Sequence, residues 1–297
     1  MKFVSDSEIR SLNITSQMML DWVSETIKNK RDCILPAKTS IHLEGNKFYN
    51  TMPCVIPALN AAGVKLVNRY PDNHPSLKAH LMLYNLASGN LEAIMDASYI
   101  TSMRTAAVGV HSIRLFAKKD YQTVAFIGLG EVGKLTLKIF VETLNGRKVT
   151  IRLFNYKERG QGLIDQYKSY KNITWELYNN FEEMIRDCDV IVSAVTYQEN
   201  DFTTPDKYKK GCLLVPIHTR GFTECDLVFD KIFGDDTAHI QGFKYFNQYK
   251  KFVEITDVVN GRVHGRESDE ESIICYSIGI AIHDLAFAKK ILELLDK

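Results

Sequence analysis

The stretch Gly128-Leu129-Gly130-Glu131-Val132-Gly133 has the residue types and spacing of a loop that cradles a pyrophosphate. It follows the apolar run VAFI and precedes an amphipathic stretch at 134–144, so it reads as the turn from a strand into a helix. In that setting Gly128 permits the tight turn, Gly130 lets a phosphate approach the backbone, and Gly133 lets helix and strand pack closely. Glu131 and Val132 open the helix, whose free N–H groups and positive dipole end suit an anion. The next run, VTIRLFN, ends at Asn155, where NAD-selective loops place a carboxylate for the ribose hydroxyls. A neutral side chain there does not repel a 2′-phosphate, and Lys157 and Arg159 follow as cations that pair with one. NADP(H) is therefore expected in preference to NAD(H).

Such residues must be held by alternating strands and helices. Apolar runs at 123–127, 149–155, 190–195 and 212–217 are separated by helical or polar spacing, which makes a parallel, doubly wound sheet the natural arrangement. Ala194, Val195 and Thr196, where the third run ends, are expected to line the cofactor, as is Ser277. Residues 1–118 mix short apolar runs with turn signals at Pro53, Pro57, Asn60, Pro71, Pro75 and Gly89. Residues 277–295 read as one amphipathic helix. The expected fold class is α/β: a Rossmann-type doubly wound parallel sheet over 119–274, plus an α+β domain formed by 1–118 and 275–297.

Composition narrows the function classes. With 297 residues, 45% hydrophobic, 25% charged and a net charge of +1, the chain has ordinary globular composition, and neither nucleic acid nor a membrane is expected as partner. The opening MKFVSDSEIR has no apolar segment after its Lys, so a cytoplasmic location is expected. The six cysteines form no CxxC and the eight histidines no HExxH, so buried thiols are expected and no metal.

Gly63-Val64-Lys65, Ser88-Gly89, the run TSMRTAA at 101–107, the glycine loop and the run SIGIAIHD at 277–284 together resemble the ornithine cyclodeaminase/mu-crystallin family over nearly the whole chain. The resemblance implies a homodimer, with an N-terminal substrate and dimerisation domain joined by the returning C-terminal helix to a Rossmann domain. It also implies hydride transfer to or from the α-carbon of a small amino or imino acid.

Carried over singly, Lys65 matches the family's active-site lysine and Arg104 the arginine of RTAA. Both are expected to hold a substrate carboxylate, Arg104 through its fork of donors and Lys65 as a compact charge able to exchange a proton with the reacting nitrogen. Thr105 falls where the family's threonine meets the cofactor phosphates. Lys38 stands where many members have a further carboxylate-binding arginine, a change that keeps charge and loses the fork. After the fourth run, ornithine cyclodeaminases place an aspartate for the substrate's amino groups. Here the chain reads Ile217-His218-Thr219-Arg220, with Arg220 near that position. Arg220 would suit a second carboxylate. His218 reads either as a general acid or base or as a loop histidine satisfied by backbone. Asp235 and Asp236, after a further apolar run, replace the acid only if their loop folds inward. Imine reduction or its reverse is the leading expectation. Cyclodeamination with catalytic NAD is the second, and a redox-silent protein that binds NADPH or a small ligand the third.

Overall fold

The computed structural model describes residues 1–195, 198–217 and 221–296, with every side chain in them except that of Lys157. Contacts divide the chain into two units: Met1–Arg104 with Gly279–Lys297, and Thr105–Ile278. These divisions fall earlier than 118 and later than 275, the boundaries expected from the sequence.

The first unit begins with β1 (Lys2–Val4), α1 (Asp6–Ser11) and α2 (Ser16–Lys28). The strands β2 (Thr39–Leu43), β3 (Lys47–Ile56), β4 (Ala61–Arg69), β5 (Leu77–Asn85) and β6 (Leu91–Asp96) follow, and then α3 (Ser98–Phe116), which belongs to the second unit from Thr105 on. The sheet has the order β1-β6-β5-β4-β3-β2, antiparallel except where β1 joins β6. Side chains alternate between its faces. One row crosses the core face as Met52, Lys65, Leu81 and Met95, all buried. A neighbouring row runs over the other face as Pro53, Val64, Met82, Ile94 and Phe3. Pro53 thus lies inside β3 and not at a turn. The Val55 N–H, two residues on, donates to Ile34 O at 2.9 Å and so points away from β4, and the Pro53 nitrogen faces the same side. β2 pairs only as far as Thr51, so the missing donor breaks no ladder bond.

The second unit contains β7 (Thr123–Ile127), α4 (Glu131–Glu142), β8 (Val149–Phe154), α5 (Arg159–Tyr167), β9 (Ile173–Tyr178), α6 (Phe181–Ile185), β10 (Val190–Ser193) and β11 (Leu213–Pro216). It continues with β12 (Lys231–Gly234), α7 (Thr237–Ile240), β13 (Phe252–Glu254), α8 (Ile255–Val259) and β14 (Ile273–Tyr276). All eight strands are parallel, in the order β13-β12-β14-β11-β10-β7-β8-β9. Strands β7, β10, β11, β12 and β14 are almost wholly buried, which is why they read as continuous apolar runs.

The helix α9 (Ala281–Leu295) belongs to the first unit. It starts four residues later than expected, because Gly279 takes a left-handed φ of +85° and Ile280 is extended. Every side chain from Ala281 to Ala288 is buried, so its first two turns are enclosed and not amphipathic. Phe287 meets Trp22 of α2 edge to face, with ring centroids 5.1 Å apart. Among the described residues no helix is long and apolar enough to cross a membrane.

Candidate active site

In the first unit, Gly63 sets the position of Lys65. A Cβ at Gly63 would lie 2.3 Å from the Met82 carbonyl oxygen and 2.6 Å from a Leu285 methyl, so only glycine lets α9 lie this close to the sheet. Lys65 projects from the same strand face, two residues on, and is 1% exposed. A lysine at that depth requires a partner, since an isolated buried ammonium is prohibitively costly. Asp284 of α9 supplies it: Lys65 Nζ lies 2.7 Å from Asp284 Oδ1. Arg104 Nε donates to the same oxygen at 2.9 Å. Lys65 Nζ also donates to Thr101 Oγ1 at 3.4 Å, while the Thr101 hydroxyl donates to the Ala97 carbonyl. Gly279 makes room for Arg104, because a Cβ there would fall 2.7 Å from Nη1.

The charges of this cluster are unequal. Burial pushes the Lys65 ammonium down to about 7; attraction by Asp284 opposes this, and repulsion by Arg104 and by Lys38 adds to it. Burial alone would raise Asp284, but Arg104 and Lys65 outweigh it and hold the carboxyl below its usual range. Lys38 is half-buried. Asp284 Oδ2 is buried and accepts no hydrogen bond among the described residues. The cluster therefore holds one permanent cation, one anion and one amine able to gain or lose a proton near neutrality.

In the second unit, the glycine loop lies between β7 and α4. Gly128 has φ +84°, and a Cβ on it would lie 2.6 Å from the Ala194 carbonyl carbon. A Cβ at Gly133 would lie 1.9 Å from the Gly128 carbonyl oxygen, whereas around Gly130 the space is open. Gly130 is also the N-cap of α4 and leaves its first N–H groups without a side-chain cap. Glu131 is exposed and Val132 half-buried at the start of that helix, while Ala194 and Val195 are half-buried beyond β10. Thr105, half-buried, follows Arg104 along α3. Ser277 is 4% exposed; its N–H donates to Pro216 O, and its hydroxyl makes no hydrogen bond among the described residues. Asn155 follows the end of β8, and its Oδ1 accepts the Gly160 N–H at 3.3 Å. Arg159 is exposed at the first turn of α5. An open cradle, an uncapped twelve-residue helix and an orphaned buried hydroxyl fit a dinucleotide. Thr196, His218, Arg220 and the Lys157 side chain lie outside the described residues.

Asp235 and Asp236, the sequence candidates for a replacement acid, are buried: Asp235 Oδ2 accepts the Ile278 N–H, and Asp236 pairs with His239 at 2.9 Å. The acid that sequence reasoning did not assign is Asp284. Its signal is an acid, beside His283, at the centre of the otherwise apolar run from Ile280 to Ala288, where a charge must be paired.

The model of the ornithine cyclodeaminase/mu-crystallin family matches residues 2–297. The chain belongs to that family. Within the ornithine cyclodeaminase/mu-crystallin family it is 26% identical over 284 residues to a Delta(1)-pyrroline-2-carboxylate reductase of Bacillus cereus, covering 88% of this chain and 86% of that protein. An archaeal alanine dehydrogenase dimer with bound NAD superposes with a TM-score of 0.84 at 25% identity, over 98% of this chain and 95% of that one. The Delta(1)-pyrroline-2-carboxylate reductase of Thermococcus litoralis has the same fold: TM-score 0.84, 22% identity, over 99% and 97% of the two chains.

Proposed function

We propose that this protein is an NAD(P)H-dependent oxidoreductase that reduces the C=N bond of a small cyclic imino acid of the Δ1-pyrroline-2-carboxylate class. The observation that carries this reading is the buried cluster of Lys65, Arg104 and Asp284, which offers donors to one carboxylate together with an amine poised to transfer a proton. Arg104 has five donors, and with Nε on Asp284 the others are available to orient a planar carboxylate. Lys65 completes the charge pairing and provides the proton that the reduced nitrogen needs. Lys38 adds long-range attraction for the anion. The bound nicotinamide supplies the hydride. The similarity to a pyrroline-2-carboxylate reductase and to an NAD-bound alanine dehydrogenase supports C–N redox chemistry. Cyclodeamination needs acceptors for two amino groups, and the sole acid of this cluster already serves two cations.

NADPH is the proposed cofactor in preference to NADH. The Asn155 side-chain Oδ1 accepts the Gly160 N–H, which leaves the side-chain NH2 as a donor, suited to a 2′-phosphate and not to a pair of hydroxyl donors. Arg159, exposed nearby on α5, adds the cation.

A homodimer is proposed on the outer face of the first unit's sheet, where half-buried Pro53, Val64, Met82 and Ile94 form an apolar row that ends at Phe3, 71% exposed. The alanine dehydrogenase relative is a dimer.

The test of function is nicotinamide absorbance with Δ1-pyrroline-2-carboxylate and NADPH, against keto acid plus ammonia and against ornithine. One equivalent of NADPH consumed per imine reduced is the expected result. Ammonia release from ornithine without net cofactor turnover would replace this reading with cyclodeamination.

A further inference from the structure

The cluster of Lys65, Arg104 and Asp284 is an incomplete set of charges. Arg104 is permanently positive, and Asp284 binds both cations through one oxygen. With Lys65 neutral, these three groups sum to zero; with Lys65 charged, they leave one positive charge in a site where the three side chains are 1%, 7% and 0% exposed. Among the described residues no second carboxylate pairs with Lys65 or Arg104 to cancel that charge. The strands beside β4 place Met52 and Leu81 opposite Lys65, and Cys54 of β3 is a thiol that burial keeps protonated. α3 contributes the Thr101 hydroxyl and Arg104, α9 contributes Asp284 and the buried His283, and the segment before β2 contributes Lys38, a further cation. Among the described residues Asp284 is the sole carboxylate paired with Lys65 and Arg104, so the missing anion must come from outside.

We propose that the substrate's carboxylate is that anion and that its entry is coupled to uptake of one proton from solvent at Lys65 Nζ, with Asp284 as the positioning residue that keeps the empty cluster neutral. The arriving carboxylate raises the affinity of Lys65 for a proton, because it restores a counter-charge to an amine otherwise disfavoured by burial. The ligand thereby loads the amine with the proton that an imine reduction goes on to consume. A bound product amine with the same carboxylate holds that proton until it leaves. Burial's push on the Lys65 ammonium, down to about 7, agrees with this balance of charges.

The inference rests on the carboxylate-binding part of the proposed function and not on the redox step. The probe is pyrrole-2-carboxylate, a planar acid with no C=N bond to reduce, titrated calorimetrically into the NADPH-saturated protein between pH 7 and 9. Two buffers of different ionisation enthalpy give the protons taken up per ligand bound. Uptake is expected to rise towards one proton as pH passes above about 7, with Kd weakening about tenfold per pH unit there. Lys65→Met is expected to bind more weakly with no uptake and a flat pH dependence. Asp284→Asn is expected to move the onset of uptake to lower pH by a unit or more; if it does not fold, the first two proteins decide. Absence of binding, zero uptake in the wild type, or equal uptake in Lys65→Met would each overturn the proposal. A wild type that takes up the proton yet reduces no imine would leave the proposal standing and remove the proposed reaction.

Discussion

Lys65 and Asp284 meet at 2.7 Å with side chains only 1% and 0% exposed, so their charges are balanced almost entirely by neighbouring protein groups. The consequence for stability is asymmetric. Asp284→Ala leaves Arg104, which cannot release its proton, buried without a carboxylate, and is expected to lower unfolding free energy by about 3–5 kcal/mol. Lys65→Met removes the cation most disfavoured by burial and keeps the Arg104–Asp284 pair, so its loss is expected to be smaller. Urea unfolding of the two variants at one pH checks the order, and an equal loss in both would mean that Asp284 is not what keeps Arg104 buried.

The proposed preference for NADPH is expected to depend on Asn155. A phosphate contact worth about 1–3 kcal/mol corresponds to roughly a five- to 150-fold preference for NADPH over NADH. Asn155→Asp keeps an acceptor for the Gly160 N–H, so the fold of the loop is expected to survive while the preference is abolished or reversed. Fluorescence titration with both reduced cofactors at fixed salt reads this out. Equal affinities in the wild type would show that the Asn155 amide and Arg159 serve only as a helix start.

A second buried carboxyl has a separate pH signature. Asp226 is 2% exposed and accepts hydrogen bonds from Tyr276 at 2.7 Å and Tyr249 at 3.2 Å. Burial pushes it up to about 7, and the two tyrosines only partly oppose this. The folded state therefore holds this proton more tightly than the unfolded chain, whose Asp titrates near about 4. Its contribution is complete below about pH 4 and is lost as pH rises through about 7, a change on the order of 4 kcal/mol. Asp226→Asn is expected to remove that fall between pH 4 and 8 in denaturant titrations. A fall of the same size in the variant would assign it to other groups.

The proposed dimer is checked by charge. Met82→Glu with Ile94→Glu places two carboxylates in the apolar row and is expected to give monomers by light scattering at micromolar concentration, with the wild type dimeric. A dimer that survives both changes would move the interface elsewhere.

Legibility followed burial. The strands at 123–127, 190–193 and 213–216 are enclosed on both faces and stand out as apolar runs. The strand at 173–178 is largely half-buried, with Glu176 and Tyr178 among its side chains, and lacks that contrast. Pro53 reads as a turn because its ring excludes one hydrogen bond, but local sequence does not reveal that β2 ends two residues short of it. Within the site, Lys65 and Arg104 are legible only through the family's motifs, since an isolated lysine or arginine in a sequence is ordinarily a surface cation. The spacing of Asp284 from them, 180 residues from Arg104, exceeds any local pattern. Its pairing is visible only where α9 lies against β4.

The first unit is discontinuous in the chain, its sheet encoded within 1–96 and the helix over that sheet at 281–295. During translation the ribosome must make residues 105–278 before it reaches Asp284, which at about 5–20 residues per second takes roughly ten to thirty seconds. Through that interval Gly63, Lys65 and the apolar row beside them have no lid, and Arg104 has no counter-ion. The nascent chain is thus open to misassembly and to chaperone capture at the sheet face that α9 later covers. Synthesis of α9, and not emergence of the sheet, is the event that lets the first unit complete its fold.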